Sequence, residues 1–210
     1  MTERGMIFNG EMVRAILDGR KTQTRRPVKF PFLDKNLGCE LAGNELAGEL
    51  SAGNYLNSAF GKPDDRIWVR ETWARYNIDQ NSHDIAYRAT TPADWPEEGR
   101  WCPSIHMPRW ASRLLLEITD VRVERLNAIS PEDAESEVLE RTNFTGFGDE
   151  PGLPSYPEPD VYFDPLKKQW KEYPPEAFAG LWESIYGEGS WKANPWVWVI
   201  EFKRVEGGAA

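Results

Sequence analysis

The residues Gly19-Arg20-Lys21-Thr22-Gln23-Thr24-Arg25-Arg26-Pro27 set an amine, a hydroxyl and a guanidinium in the pattern G-x-K-x-x-T-x-R. These groups move protons and hold anions. Arg14, Arg20, Lys21, Arg25, Arg26 and Lys29 crowd into this part of the chain, with Arg66, Arg70 and Arg75 further on, which suits a nucleotide-sized ligand. The competing reading is a solvated positive face. A carboxylate completes the set. In Arg66-Ile67-Trp68-Val69-Arg70-Glu71-Thr72-Trp73, strand alternation puts Glu71 on one face with Ile67, Val69 and Trp73. There it needs a cationic or hydrogen-bonding partner, or its pKa rises. Otherwise the strand end is exposed and Glu71 is solvated.

Several elements must position these residues. Met6-Ile7-Phe8 reads as a strand, followed by a helix capped by Asn9, with Met12, Ala15 and Ile16 on one face and Gly19 as its left-handed stop. The stretch 66–73 is a strand by its aromatic and β-branched content. A long strand is expected from about Arg113 to Leu126, and the change of apolar phase near Thr119-Asp120 predicts a bulge. Ser130-Pro131-Glu132-Asp133 opens a helix expected to reach about Leu139. Phe178, Leu181, Trp182 and Ile185 mark a core-facing helix over Glu176–Tyr186. Trp196 to Ile200 is wholly apolar, so the last strand is covered on both sides at its start. The fold class expected is α+β, a small β-barrel with a few short peripheral helices. One domain spans 1–210, with loop insertions at about 30–63 and 142–175. In the first insertion the spacing of Glu40-Leu-Ala-Gly, Glu45-Leu-Ala-Gly and Glu49-Leu-Ser-Ala-Gly fits neither helix nor strand, and its glycines break both.

Composition narrows the partners. A net charge of −9 argues against holding long duplex DNA by phosphate neutralisation, so any nucleic-acid contact is local. The 10 Trp residues supply core mass and also surfaces on which bases stack. Cys39 and Cys102 are far apart, and Cys102-x-x-x-His106 falls short of the four ligands of a structural zinc site, so neither a disulfide nor a metal is expected. No run is apolar enough for a signal peptide or a membrane span, and a cytoplasmic protein without cofactor is expected.

Together these segments resemble the ASCH domain of the PUA-like superfamily, whose recurring pattern is matched by Gly19, Lys21, Thr24 and Arg26. Arg66–Trp73 looks like the family's second signature strand, and Asn194-Pro-Trp-Val-Trp-Val-Ile-Glu-Phe202 like its closing strand; proteins of this kind are often carried by phages and prophages. The resemblance does not cover 30–63 or 142–175. It implies a PUA-like barrel and, through the compact members that remove acetyl from N4-acetylcytidine, catalytic roles for Lys21, Thr24 and Glu71. A lysine desolvated at a barrel mouth would take the Thr24 proton, making the hydroxyl a nucleophile toward an amide carbonyl. Glu71 would orient Lys21 or pass a proton to the leaving amine. Arg26, with Arg25, would anchor ligand oxygens or phosphate. The spacing sets a condition. In a straight strand Lys21 and Thr24 face apart, so a turn or bulge must intervene.

His106 and Arg109 are in a loop that could line the same mouth. The expected activity is metal-independent amide hydrolysis on an N4-acylated cytidine. The alternative is a non-catalytic module holding a nucleoside or RNA segment on Trp68, Trp73 or Trp110 and the basic residues, or a ribonuclease. A protein partner is open to the insertions.

Overall fold

The computed structural model describes residues 1–75, 85–96, 99–137, 139, 141–142, 161–165 and 167–205. Its main sheet has five strands: β1 (Glu3–Ile7), β2 (Gln23–Pro27), β3 (Arg66–Arg70), β6 (Leu115–Arg125) and β10 (Trp196–Arg204). Their spatial order is β1-β3-β6-β10-β2; β1 and β3 run parallel and every other pair is antiparallel. Two small sheets accompany it. One pairs β4 (Trp73–Arg75) with β5 (Ile85–Tyr87), and the other joins β7 (Arg141–Thr142), β8 (Val161–Asp164) and β9 (Gln169–Lys171). The helices are α1 (Gly10–Leu17), α2 (Gly43–Ser51), α3 (Pro131–Glu135) and α4 (Pro174–Tyr186).

The expected barrel is not formed. The fold is mixed α+β around an open sheet, with β1 and β2 as its edges and no ladder between them. Closure requires edge strands long enough to pair in a staggered register. Here β6 has 11 residues and β10 has 9, but the edge strands have only 5 each. A single side-chain bond bridges the edges, from Arg26 Nη2 to the Ile7 carbonyl at 2.8 Å.

Two hydrophobic cores sit on either side of β10. Trp198, Ile200 and Phe202 pack with α1, α2, β3 and one face of β6, whereas Val197 and Val199 pack with α4, Ala134 of α3 and Tyr162 of β8. The fully apolar start of this strand follows from that double coverage. Opposite it, pairing passes from Glu201↔Asp120 to Phe202↔Ile118, leaving Thr119 as the bulged residue.

Around the motif, sequence and structure agree locally. Asn9 Oδ1 accepts the Met12 N–H at 2.8 Å, and Met12, Val13, Ala15 and Ile16 are buried. Gly19 adopts φ 75°, and the N–H groups of Arg20 and Lys21 both reach the Ala15 carbonyl, at 2.9 and 3.0 Å. The helix therefore ends in a turn that delivers Lys21 before β2 begins.

Three expectations need correction. The first insertion contains α2, because Leu46 and Leu50, four apart, find a buried apolar site, and the missing Cβ of Gly43 lets Trp196 close to 2.3 Å of where it would stand. The strand expected through Trp73 breaks at Glu71-Thr72. The helix expected to Leu139 stops at Glu135, since the Ser136 carbonyl accepts Thr22 and Gln23 N–H at 3.1 and 3.2 Å instead of continuing the helix. Within the second insertion, 143–160 and 166 lie outside the described residues, and the others include β8 and β9. Among the described residues no helix is long and apolar enough to cross a membrane.

Candidate functional site

The motif's amine is fully enclosed. Lys21 Nζ donates to Glu137 Oε2 and to the Gln23 carbonyl, both at 2.6 Å. Burial pushes the Lys21 pKa below its usual range, against the pull of Glu137 and with added repulsion from Arg26 and Arg25.

Arg25 lies on the same side. It donates to Gln23 Oε1 and reaches Glu137 Oε1 at 3.5 Å, Glu124 at 2.8 Å and Asp133 at 2.9 Å, with its guanidinium over the Phe178 ring. Arg122 adds bonds to Asp120, Glu124, Asp133 and Glu201. Three cations thus meet five carboxylates under α3. Burial alone would raise the Asp133 pKa, but hydrogen bonds from Gln23 and Arg25 and the charges of Arg122 and Arg25 outweigh it and hold the carboxyl below its usual range.

Gln23 and Arg25 turn toward that cluster, so by alternation Thr24 and Arg26 turn to the other face of β2. Thr24 is buried, pairs in register with Ile200, and makes no side-chain hydrogen bond among the described residues. The turn before Gln23 exists, yet it carries the amine to Glu137 and leaves the Thr24 hydroxyl on the opposite side. Arg26 lies over the Phe8 ring, 5.6 Å from its centroid, beside the Ile7 carbonyl it bonds.

Glu71 is elsewhere. It follows β3 where the strand breaks, is only 2% exposed, and accepts two bonds from Arg113: Nε to Oε1 at 2.9 Å and Nη2 to Oε2 at 3.0 Å. Burial raises the Glu71 pKa, opposed by those bonds and by the Arg113 charge. Arg113 is itself fixed by the Thr90 hydroxyl at 2.8 Å and by the Tyr87 ring, 4.0 Å below its guanidinium carbon. Glu71 and Thr72 line an open cleft of about 580 Å³ with Ile7 and Phe8, the first turn of α1, Arg14, Arg88 and Ser104. That volume is in the range of small-molecule sites. Neither Lys21 nor Thr24 lines it.

The remaining candidates surround this region unevenly. Trp68 is half-buried beneath the Arg70 guanidinium, whose carbon is 5.4 Å from the ring centroid. Arg70 Nε donates to the Ser104 carbonyl at 3.2 Å, and its Nη2 to that of Ile105. Trp73 is buried edge-on against exposed Trp110, with centroids 5.7 Å apart, and its indole N–H has no partner among the described residues. His106 is exposed on the turn Ser104–His106. Arg109 is spent on Glu3 at 2.9 Å. Cys39 and Cys102 are free and exposed, and among the described residues no three His, Cys, Asp or Glu side chains gather as a metal site.

Sequence reasoning missed Glu137, Arg122 and Arg113, the partners that decide where the charges go. The one available signal was parity: an arginine near the start of β6, facing the break after β3, could have been matched to Glu71. Glu137 is 116 residues from Lys21 and carries no such signal. No protein-family model, curated protein or solved structure matches this chain.

Proposed function

We propose that the protein recognises a nucleoside-type ligand and seats its base in the Glu71 cleft. The observation that carries this reading is a desolvated carboxylate, clamped by Arg113, in the wall of a cleft of small-molecule size. Each Glu71 oxygen takes one bond from Arg113 and keeps a further lone pair, so the carboxylate can accept from the exocyclic amine of a base. The resemblance of Gly19, Lys21, Thr24 and Arg26 to the ASCH pattern supports the same ligand class. Isothermal titration with cytidine and N4-acetylcytidine tests it: saturable binding is expected for the intact chain and loss of it for Glu71→Gln. Absence of binding to either nucleoside removes the reading.

Amide hydrolysis by Lys21, Thr24 and Glu71 is the second reading, favoured by the burial that moves Lys21 toward its neutral form. It requires Lys21 to leave Glu137 and meet the Thr24 hydroxyl on the other face of β2, and both to reach Glu71, whose cleft neither lines. Acetate release from N4-acetylcytidine, absent in Thr24→Val, would support it; equal release by that variant would defeat it.

A further inference from the structure

We infer that the same cleft carries a phosphate subsite formed by Arg14 and Arg88, so that its ligand is a nucleoside monophosphate; this rests on the nucleoside reading above. The argument is one of unbalanced charge. In a chain of net charge −9, Arg20, Arg25, Arg109, Arg113 and Arg122 all pair with carboxylates. Arg14 and Arg88 line the cleft and, like Arg4 and Arg125 outside it, pair with no carboxylate among the described residues.

Arg14 is held in place. Its Nη1 donates to the Ala89 carbonyl at 3.1 Å and lies 3.5 Å from where a Cβ on Gly10 would stand, so the guanidinium runs along the glycine backbone. One of its five N–H groups is spoken for. The Arg88 backbone is anchored by its N–H to the Thr72 carbonyl at 2.9 Å, while its exposed guanidinium makes no bond among the described residues.

Two more arginines back the wall. Arg26 and Arg70 bond the carbonyls of Ile7 and Ser104, which line the cleft, and neither meets a carboxylate. Glu71 and Arg113 cancel each other, so among the described lining residues Glu11 alone offsets the cations of the cleft. Guanidinium forks bind phosphate oxygens in pairs. A terminal monoester brings about 1.5 to 2 negative charges at neutral pH, which matches the surplus better than the single charge of an internal diester.

The test is titration of the full chain with cytidine, cytidine 5′-monophosphate, inorganic phosphate and a short oligoribonucleotide without terminal phosphate, each at low and high salt. The monophosphate is expected to bind about tenfold more tightly than the nucleoside or better, with a gap that narrows as salt rises. Inorganic phosphate is expected to displace the monophosphate. Arg88→Ala and Arg14→Ala are each expected to close most of the gap, and Arg204→Ala, on the far end of β10, to preserve it. Circular dichroism checks that each variant is folded. Equal affinity for nucleoside and monophosphate overturns the phosphate subsite and leaves the nucleoside reading standing. Failure of both ligands to bind removes that reading and this inference with it. An oligonucleotide that binds as tightly as the monophosphate overturns the inference in favour of RNA.

Discussion

Lys21 and Arg113 each hold a buried carboxylate, but the regions around them are built to opposite balances. Under α3, Lys21, Arg25 and Arg122 are outnumbered by Glu137, Glu124, Asp133, Glu201 and Asp120, and each cation is ion-paired with at least one of these carboxylates, although Arg25 Nε has no acceptor among the described residues. At the cleft Glu71 is neutralised by Arg113, Glu11 is the other carboxylate among the described lining residues, and Arg14 and Arg88 form no ion pair among the described residues. A cation paired with carboxylates inside the fold stabilises or positions the fold; one left unpaired at a cavity is available to a ligand. The strongest sequence motif therefore divides between the two regions, with Lys21 and Arg25 in the first and Arg26 beside the second.

The largest test of that division is Lys21→Ala. It leaves Glu137 in the interior with only the longer 3.5 Å contact to Arg25 among the described residues, and unfolding by denaturant is expected to show a loss of about 3–5 kcal/mol. A loss under about 1 kcal/mol, typical of an exposed pair, would break the comparison by showing that water reaches Glu137.

Arg113→Ala comes next, because Arg113 is partly exposed and solvent can reach the vacated space. The expected loss is about 1.5–3 kcal/mol. The pH dependence sharpens it. Glu71 binds its proton more tightly folded than unfolded, so its contribution is fully present below its ordinary value of 4.5 and is lost as pH rises through the raised folded value. Without the Arg113 charge the folded pKa climbs further and the falling limb moves to higher pH; the same limb disappears in Glu71→Gln. Thermal melts from pH 4 to 8 would read both, and an unchanged profile in Arg113→Ala would mean the guanidinium does not govern Glu71.

Arg88→Ala is the smallest change expected, within about 0.5 kcal/mol of the parent, since the side chain is exposed and unbonded. A thermal shift larger than that would give Arg88 a structural role and draw the cleft toward the other region's character.

Local elements were legible because their causes are local. Asn9 and Gly19 bound α1 through caps that act within a few residues, and the phase change in β6 marks the Thr119 bulge. The apolar company of Glu71 left burial with a partner and a solvated strand end both open, and the structure shows burial with Arg113 as the partner. The helix α2 was hidden by its glycines, since Leu46 and Leu50 gain their burial only from the sheet beneath them. The open sheet was hidden as well: strand pattern reports burial, while closure depends on the relative lengths of strands far apart in sequence.

The sequence by itself determined the periodic faces, the caps and the set of charged side chains, because backbone geometry and alternation are properties of short stretches. Only the tertiary structure decided which charges cancel. Lys21 meets Glu137 across 116 residues and Glu71 meets Arg113 across 42, distances over which no local pattern operates. Pairing of that kind is set by how sheets and helices pack, and it is what leaves Arg14 and Arg88 at the cleft without an ion pair among the described residues.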